Sequence, residues 1–236
     1  MAQPVKSSRD YHSPHRQQQA AATRRRILDA ANDLFESHGY PSTTMAEIAA
    51  RAGVALKTVY VVFSTKSQLL RALWDLLLKG DQDDSPVADR PWYRQVLEEE
   101  DPRQQLLMLA ATSCVVKRRI GGILRVVRTA APVDPDSGDL WRLIQSDFHA
   151  NQRVVVESLA GKGALRAGLD VTRATDILWT LNHPDTWLLL VGDRGWSPRE
   201  FERWLGETAC QQLLNEGAGS PPSTASARRT KGRPRR

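Results

Sequence analysis

The sequence predicts an all-α protein with a compact N-terminal unit of three helices and a larger C-terminal helical domain. Apolar residues recur every three or four positions through most of the chain, and helix-capping patterns precede several of these runs. No segment alternates apolar and polar residues between turn signals, as a half-buried strand would. We divide the chain into a disordered basic arm over 1–20, the three-helix unit over 21–70, the helical domain over 71–215 and a disordered basic tail over 216–236.

Charge is distributed unevenly along the 236 residues, whose net charge is +6. Residues 1–80 carry +5 and residues 216–236 carry +5, whereas residues 81–215 carry −4. Basic ends around an acidic body are typical of proteins that bind a polyanion, although cationic tails also serve solubility alone. The motifs between the two ends must decide between these interpretations.

Composition and motifs exclude several classes of protein. The sequence has no run of about 18–20 apolar residues that could span a membrane, and no apolar secretory segment near Met1. Cys114 and Cys210 lie far apart without Cys/His spacing, which excludes a disulfide framework and a cysteine-based zinc site. Because no hydrolase, phosphate-loop or metalloprotease motif occurs, we expect a cytoplasmic protein that is no enzyme and binds no metal or other cofactor.

The first predicted helix begins near Thr23 and ends at His38-Gly39, with apolar residues on one face. Its first turn contains Arg24-Arg25-Arg26, where positive charge opposes the helix dipole. An external anion would compensate for this placement, so Arg24 is a candidate contact to a polyanion.

Residues 44–63 have the pattern of two short helices joined by a tight turn. Thr44-Met45-Ala46-Glu47 is a capping box at the start of the first helix, and Gly53 ends that helix because glycine adopts positive φ without strain. A further capping box, Thr65-Lys66-Ser67-Gln68, opens the helix that joins this unit to the rest of the chain. Two short helices so joined describe a helix-turn-helix, although a generic three-helix bundle with a polar face stays the alternative.

In a helix-turn-helix the second helix lies in the major groove of DNA, with its first residues facing base edges. Here its polar and apolar side chains would contact bases and phosphates. Lys66, in the first turn of the next helix, would combine a cation with exposed helix N–H groups and hold a phosphate. The other candidate DNA contacts in this region are Thr43, Thr44, Leu56, Lys57, Thr58, Tyr60 and Val61.

From about Arg24 to Trp74 the sequence resembles the DNA-binding domain of tetracycline-repressor-type (TetR family) regulators. The resemblance rests on Thr43–Val54 and Thr58–Leu70, in which Ala-Gly-Val, Thr-x-Tyr-x-x-Phe and Lys-x-x-Leu-Leu follow one another at the family spacing. The sequence departs from the family pattern at Ala55, where Ser or Thr is frequent, and at Val61-Val62, where an aromatic residue or His is frequent.

The resemblance implies roles for individual residues. Tyr60 and Lys66 match family positions that contact phosphates, and Leu56 and Lys57 match positions that face bases. Because the two departures remove polar groups from the recognition helix, Lys57 carries more of the polar contact.

After an acidic loop near residues 81–86, the C-terminal domain is predicted to be a succession of helices. We expect Gly121-Gly122 to break a long helix and His183-Pro184 to kink a later one. The predicted segments are a short helix near 92–99, a helix from Pro102 to the glycine pair, a short helix over 123–130, a loop over 132–138, and helices over 140–159, 172–191 and 198–214.

The resemblance also implies that the last two long helices form a four-helix bundle with those of a second subunit, which gives a homodimer. The apolar residues compatible with such a buried seam are Ile177, Leu178, Leu181, Leu188, Leu189, Phe201, Trp204, Leu205, Leu213 and Leu214.

A small-molecule site in this domain is implied by the resemblance and not by composition. Trp141, Phe148 and Trp179 are candidates for apolar walls, with His149 and Asn182 as orienting polar groups. Aromatic residues at helical spacing equally build cores and subunit interfaces, which is the alternative for each of them.

Within the basic tail, residues 228–236 contain Gly-Arg-Pro flanked by basic residues and resemble an AT-hook. Such an element places arginine in the narrow minor groove of A·T-rich DNA, and Arg233 would be that arginine. A solvated tail that adds only nonspecific affinity is the alternative.

These features favour a homodimeric, sequence-specific transcription regulator. It would be a repressor that binds a palindromic site on double-stranded DNA, and an unknown small-molecule effector would release it or modulate its binding. The alternative is an architectural protein that binds A·T-rich DNA without ligand control.

Overall fold

The structure is a computed structural model and describes residues 14–80 and 90–216. Within these ranges the chain is helical, with one antiparallel bridge between Leu165 and Leu214 and no strand, so the all-α prediction is confirmed. The helices are α1 Pro14–His38, α2 Met45–Ala52, α3 Leu56–Val62, α4 Lys66–Lys79, α5 Pro91–Glu98, α6 Pro102–Ala130, α7 Pro135–Gly161, α8 Val171–Leu181, α9 Pro184–Trp187 and α10 Pro198–Leu213, with a π-helical segment Leu188–Asp193 before α10. No helix in the described ranges is both long and apolar enough to cross a membrane.

Helix α1 begins at Pro14, well before the predicted start near Thr23. The prediction of disorder up to residue 20 was therefore wrong for residues 14–20, while residues 1–13 lie outside the described part of the chain. The extension is rich in Gln and Ala, which favour helix, and it is exposed, so no apolar period marks it in the sequence. Arg24-Arg25-Arg26 consequently lie inside the helix, where the helix dipole gives no reason to expect an anion.

The capping box predicted for α2 is present. The Thr44 hydroxyl accepts a hydrogen bond from the Glu47 N–H at 3.2 Å, and the Glu47 carboxylate accepts one from the Thr44 N–H at 2.8 Å. At α4 the box is only half formed, because Thr65 accepts from the Gln68 N–H at 3.1 Å while the Gln68 side chain accepts from the Ser64 N–H. Both helices thus begin at the predicted residues.

Helices α1 to α4 contribute to one hydrophobic core, in which α3 packs on α2. Nearly every large apolar residue that the helical spacing assigned to the inner faces is buried. These buried side chains include Ile27, Phe35, Ile48, Phe63, Leu69, Leu70, Leu73 and Trp74.

Helix α6 runs unbroken through Gly121-Gly122, so the predicted break is wrong. A Cβ atom at Gly121 would lie 3.4 Å from Nε1 of Trp187, and one at Gly122 would lie 2.7 Å from Cδ of Glu36 in α1. The glycines therefore permit close packing of neighbouring helices, at a cost of about 1 kcal/mol each in helix propensity.

The remaining helices of the C-terminal domain pack around α6. Helix α10 lies along α6, and a Cβ atom at its buried Gly206 would lie 2.8 Å from Cδ2 of Leu107. Helix α7 packs on α8 and begins within the predicted loop over 132–138, because the Asp134 side chain accepts a hydrogen bond from the Ser137 N–H at 2.9 Å.

The predicted helix over 172–191 is interrupted at the expected position. Helix α8 ends at Leu181 and α9 begins at Pro184, since proline lacks an N–H and clashes with the preceding turn. His183 caps α9 through Nδ1, which accepts a hydrogen bond from the Asp185 N–H at 3.1 Å.

Most apolar residues expected at the subunit seam are buried within a single chain. Leu189 is 57% exposed, whereas Ile177, Leu181 and Trp204 are half-buried. The seam expectation was therefore wrong for the remaining six, because their own chain already covers them. Those six are Leu178, Leu188, Phe201, Leu205, Leu213 and Leu214.

Candidate nucleic-acid interface and effector cavity

The candidate contacts on α3 are accessible to solvent. Leu56, Tyr60 and Val61 are 41%, 49% and 78% exposed, respectively. Lys57 is exposed beside them and Thr58 is half-buried. Helix α3 therefore offers a cation, hydroxyl groups and apolar groups to a partner along one short stretch.

The turn that positions α3 is set by backbone hydrogen bonds. Gly53 has φ +65°, and the Val54 N–H donates to the Ala49 carbonyl oxygen at 3.1 Å, which is the bond of a Schellman motif. Ala55 precedes α3 and provides no side-chain cap, as its replacement of Ser or Thr implies.

Lys66 holds the loop that precedes α2. Its Nζ donates to the carbonyl oxygens of Tyr40 at 2.7 Å and Thr43 at 2.9 Å, and it lies 4.3 Å from the centre of the Tyr40 ring. Partial burial lowers the pKa of Lys66 below its ordinary value. Two of its three N–H donors are thus occupied within the protein, a role that the sequence did not reveal.

The four remaining candidate DNA contacts have different settings. Thr43 is 1% exposed and donates to the Gly39 carbonyl oxygen at 2.9 Å, so its prediction as a DNA contact is wrong for this conformation. Thr44 is exposed at the start of α2, and the Arg24 guanidinium lies 4.4 Å from the centre of the Phe63 ring, where α3 ends. Arg233 lies outside the described residues.

A cavity of about 110 Å³ lies between α4, α5, α6, α7 and the start of α9. Its walls are mostly apolar, and α4 contributes Trp74 and Leu78 to them. Trp92 of α5 and Ile120 of α6 also line it, as does Phe148 of α7. The cavity therefore adjoins α4, the helix that joins the N-terminal unit to the rest of the chain.

Of the predicted pocket residues, Phe148 lines this cavity and the other four do not. His149 contacts Asp176 of α8 at 3.1 Å, and the Trp179 ring lies edge-on to the His183 ring, 4.7 Å between centres. Trp141 is half-buried against the hydrophobic core. For these three the pocket prediction is wrong here, because helical spacing does not tell which neighbouring helix a side chain meets.

Asn182 acts behind the cavity wall. It is fully buried, and its side-chain nitrogen donates to Ser113 Oγ at 3.0 Å and to Gln152 Oε1 at 3.2 Å. Its side-chain oxygen accepts a hydrogen bond from Nζ of Lys117. Asn182 therefore positions Lys117, which itself lines the cavity.

Lys117 is the polar group of the cavity that sequence reasoning missed. It is 4% exposed, and burial lowers its pKa from 10.5 to about 7. No carboxylate in the described residues forms an ion pair with it. The centres of the Phe148 and Phe201 rings each lie 5.7 Å from Nζ of Lys117. One signal was available: Lys117 shares the buried stripe of α6 with Ala110, Cys114, Ile120 and Leu124.

An accessible recognition helix fixed by a tight turn, with cationic side chains beside it, defines a helix-turn-helix DNA-binding protein. Residues 27–73 match the family model described as bacterial regulatory proteins, tetR family. This match identifies the N-terminal unit as a tetR-type DNA-binding domain, and the general role of the chain is DNA-binding regulation of transcription.

Known proteins resemble the chain beyond this domain. The transcriptional repressor ComR of Escherichia coli is 24% identical over 156 residues, which cover 64% of this chain and 71% of ComR. The regulator TtgR of Pseudomonas putida is 26% identical over 163 residues, covering 66% of this chain and 75% of TtgR.

A solved structure shows the same fold. SmeT, the repressor of the Stenotrophomonas maltophilia multidrug efflux pump SmeDEF, superposes in its triclosan complex with a TM-score of 0.65 at 19% identity. The match covers 86% of this chain and 96% of SmeT, so both domains share the arrangement.

Proposed function

We propose that the chain is a homodimeric repressor that binds a palindromic operator through α3 and leaves it when a small molecule occupies the cavity between α4 and α7. The repressor names of ComR and SmeT support repression, and the triclosan complex of SmeT supports control by a small molecule. In this proposal Lys57 donates to a base or phosphate, Leu56 and Val61 meet thymine methyl groups, and Tyr60 donates to a phosphate.

The observation that carries effector control is the position of α4. Trp74 and Leu78, in its second half, line the cavity, whereas Lys66 at its start holds the loop before α2. Its C-terminal end is held by Arg119 of α6, which donates to the carbonyl oxygens of Leu77 and Leu78 at 2.5 Å. One helix of 14 residues thus joins the cavity to the DNA-binding unit.

A ligand acts in this scheme by favouring one position of α4 over another. The two α3 helices of a dimer must lie roughly 34–36 Å apart to enter successive major grooves. A bound molecule that stabilises a different α4 position changes this separation, and it weakens DNA binding only as far as it prefers that state.

Selection of duplexes from a random DNA library by the purified full-length protein, followed by footprinting, tests this proposal. We expect a palindrome whose half-sites are about one helical turn apart. Its enrichment should be reduced in Lys57→Ala and retained in Arg199→Ala, which removes an exposed cation of α10. Recovery of A·T-rich DNA without a palindrome, dependent on Arg233, would support the architectural alternative instead.

A further inference from the structure

Lys117 gives the cavity a chemical preference. An ammonium has three N–H donors, and the one hydrogen bond that the structure gives Lys117 goes to the side-chain oxygen of Asn182. A buried charge without an opposite charge is costly, and an anion placed beside it recovers part of that cost. No described carboxylate supplies this anion, and a bound acid would supply it.

We propose that the cavity binds a small one-ring organic acid whose ionised oxygen accepts a hydrogen bond from Lys117. This inference rests on the proposed function, in which the same cavity is the effector site. It narrows the effector to apolar molecules that carry one acidic group.

The walls favour an apolar body for this ligand. Trp74, Trp92, Ile120 and Phe148 surround the space, and the Tyr93 hydroxyl is already used to donate to the Asn151 carbonyl oxygen at 2.7 Å. The volume of about 110 Å³ is somewhat below that of an engineered apolar cavity of about 150 Å³ that holds benzene. A single ring with a short acidic substituent is therefore the upper limit of size, and its binding requires the walls to move outward.

The charges around the cavity argue against a cationic ligand. Among the described residues of the lining, Asp147 is the carboxylate, and it is exposed, so it lies at the rim. A cation placed deep in the cavity would instead meet Lys117, with the Phe148 ring as its main compensation. An anion meets the opposite situation, because its acidic group reaches Lys117 while its ring fills the apolar space.

Isothermal titration calorimetry with the full-length protein tests the preference. The probes are benzoate, phenylacetate and phenylpropionate, each compared with its primary amide of nearly equal shape. We expect an acid to bind about 10- to 100-fold more tightly than its amide, the range for a hydrogen bond to a charged group. Lys117→Met should remove this difference, and Arg118→Met, which removes the exposed neighbouring cation, should keep it.

A second measurement needs no variant. Titration of the wild-type protein at pH 8 in two buffers of different ionisation enthalpy should show proton uptake with an acid and none with an amide. The reason is that burial keeps the pKa of Lys117 near 7 and a bound anion raises it. The other titratable groups around the cavity are Cys114, Tyr93, His183 and Asp147. At pH 8 Cys114 and Tyr93 keep their protons, because burial raises their pKa values to about 11 and about 12, and His183 stays neutral, because burial lowers its pKa.

Equal affinities for acid and amide, an acid preference that survives Lys117→Met, or no acid binding at millimolar concentration would overturn the proposal. Operator release is measured separately with the selected duplex. Acid binding through Lys117 without release of the operator would contradict the proposed function and leave this site assignment intact. Release of the operator by neutral ligands alone would contradict this site assignment and leave the proposed function intact.

Discussion

The ammonium of Lys66 lies 4.3 Å from the centre of the Tyr40 ring and donates a hydrogen bond to the Tyr40 carbonyl oxygen at 2.7 Å. This contact joins the first turn of α4 to the loop between α1 and α2. The same ammonium also binds the Thr43 carbonyl oxygen, next to the residue that caps α2. Helix α4 therefore helps to fix the orientation of the helix-turn-helix.

We expect Lys66→Met to lower the free energy of unfolding by about 1–3 kcal/mol, because two partly buried carbonyl oxygens lose a charged donor. Lys57→Met removes an exposed lysine and should change it by less than about 0.5 kcal/mol. Urea unfolding of both variants measures the difference. Equal stability of the two would show that the Lys66 contacts do not hold the loop.

The same pair of variants separates a structural from a DNA-contacting role for Lys66. If Lys66 binds a phosphate, its loss should reduce the slope of log affinity against log salt by about 0.9. A purely structural role predicts weaker operator binding with the slope unchanged. Fluorescence anisotropy with the selected operator at several salt concentrations measures it.

The helix-turn-helix could be predicted from the sequence because its signals are local. Thr44, Glu47 and Gly53 act within a few residues of their own positions, and each behaves in the structure as its pattern predicts. Gly121-Gly122 was misinterpreted because its role depends on Glu36 and Trp187, which are distant in sequence. No local rule identifies such a contact.

The cavity was harder to predict for a related reason. Phe148 and His149 are adjacent in sequence, yet one lines the cavity and the other contacts Asp176 of α8. Which side faces the cavity depends on how α7 packs between its neighbours. Lys117 differs, because its place in the apolar stripe of α6 was a local sign of burial, but the two arginines that follow it obscure that sign.

Gly53→Ala should lower the free energy of unfolding by about 1–2 kcal/mol, because φ is +65° at this residue and a Cβ atom is strained there. Gly161→Ala is the matched control. Gly161 ends α7 without positive φ and has open space around it, so alanine should stabilise by about 0.5–1 kcal/mol. Opposite signs in thermal unfolding are expected, and a neutral Gly53→Ala would contradict the need for a left-handed residue in this turn.

Lys57→Ala should weaken operator binding by about 1–3 kcal/mol and relax the preference at one base pair of each half-site, if Lys57 reads a base edge. Binding to the operator and to its single-base variants, measured by anisotropy, tests this expectation. A loss that is uniform across sequences, with a salt slope reduced by about 1, would assign Lys57 to a phosphate instead. Arg199→Ala should leave both quantities unchanged.

Lys117 should make stability depend on pH. Burial lowers its pKa in the folded protein from 10.5 to about 7, so between these values the unfolded chain binds more protons than the folded one. Stability must then rise with pH across this window, by about 1.4 kcal/mol per unit at most. Lys117→Met has no such titration. We therefore expect the free energy of unfolding of the wild type to rise by about 2 kcal/mol relative to that of Lys117→Met from pH 7 to pH 9.

The interval from pH 7 to pH 9 isolates this titration in the folded protein. Burial raises the pKa of Cys114 to about 11 and that of Tyr93 to about 12, and it lowers the pKa of His183 below its ordinary value of 6.5. None of these neighbours changes charge within the window when the protein is folded, and their titration in the unfolded chain is common to both proteins. Urea unfolding of wild type and Lys117→Met at both pH values measures the difference. Parallel pH dependences would mean that Lys117 keeps its ordinary pKa, and the proton uptake expected on binding of an acid at pH 8 would then be absent.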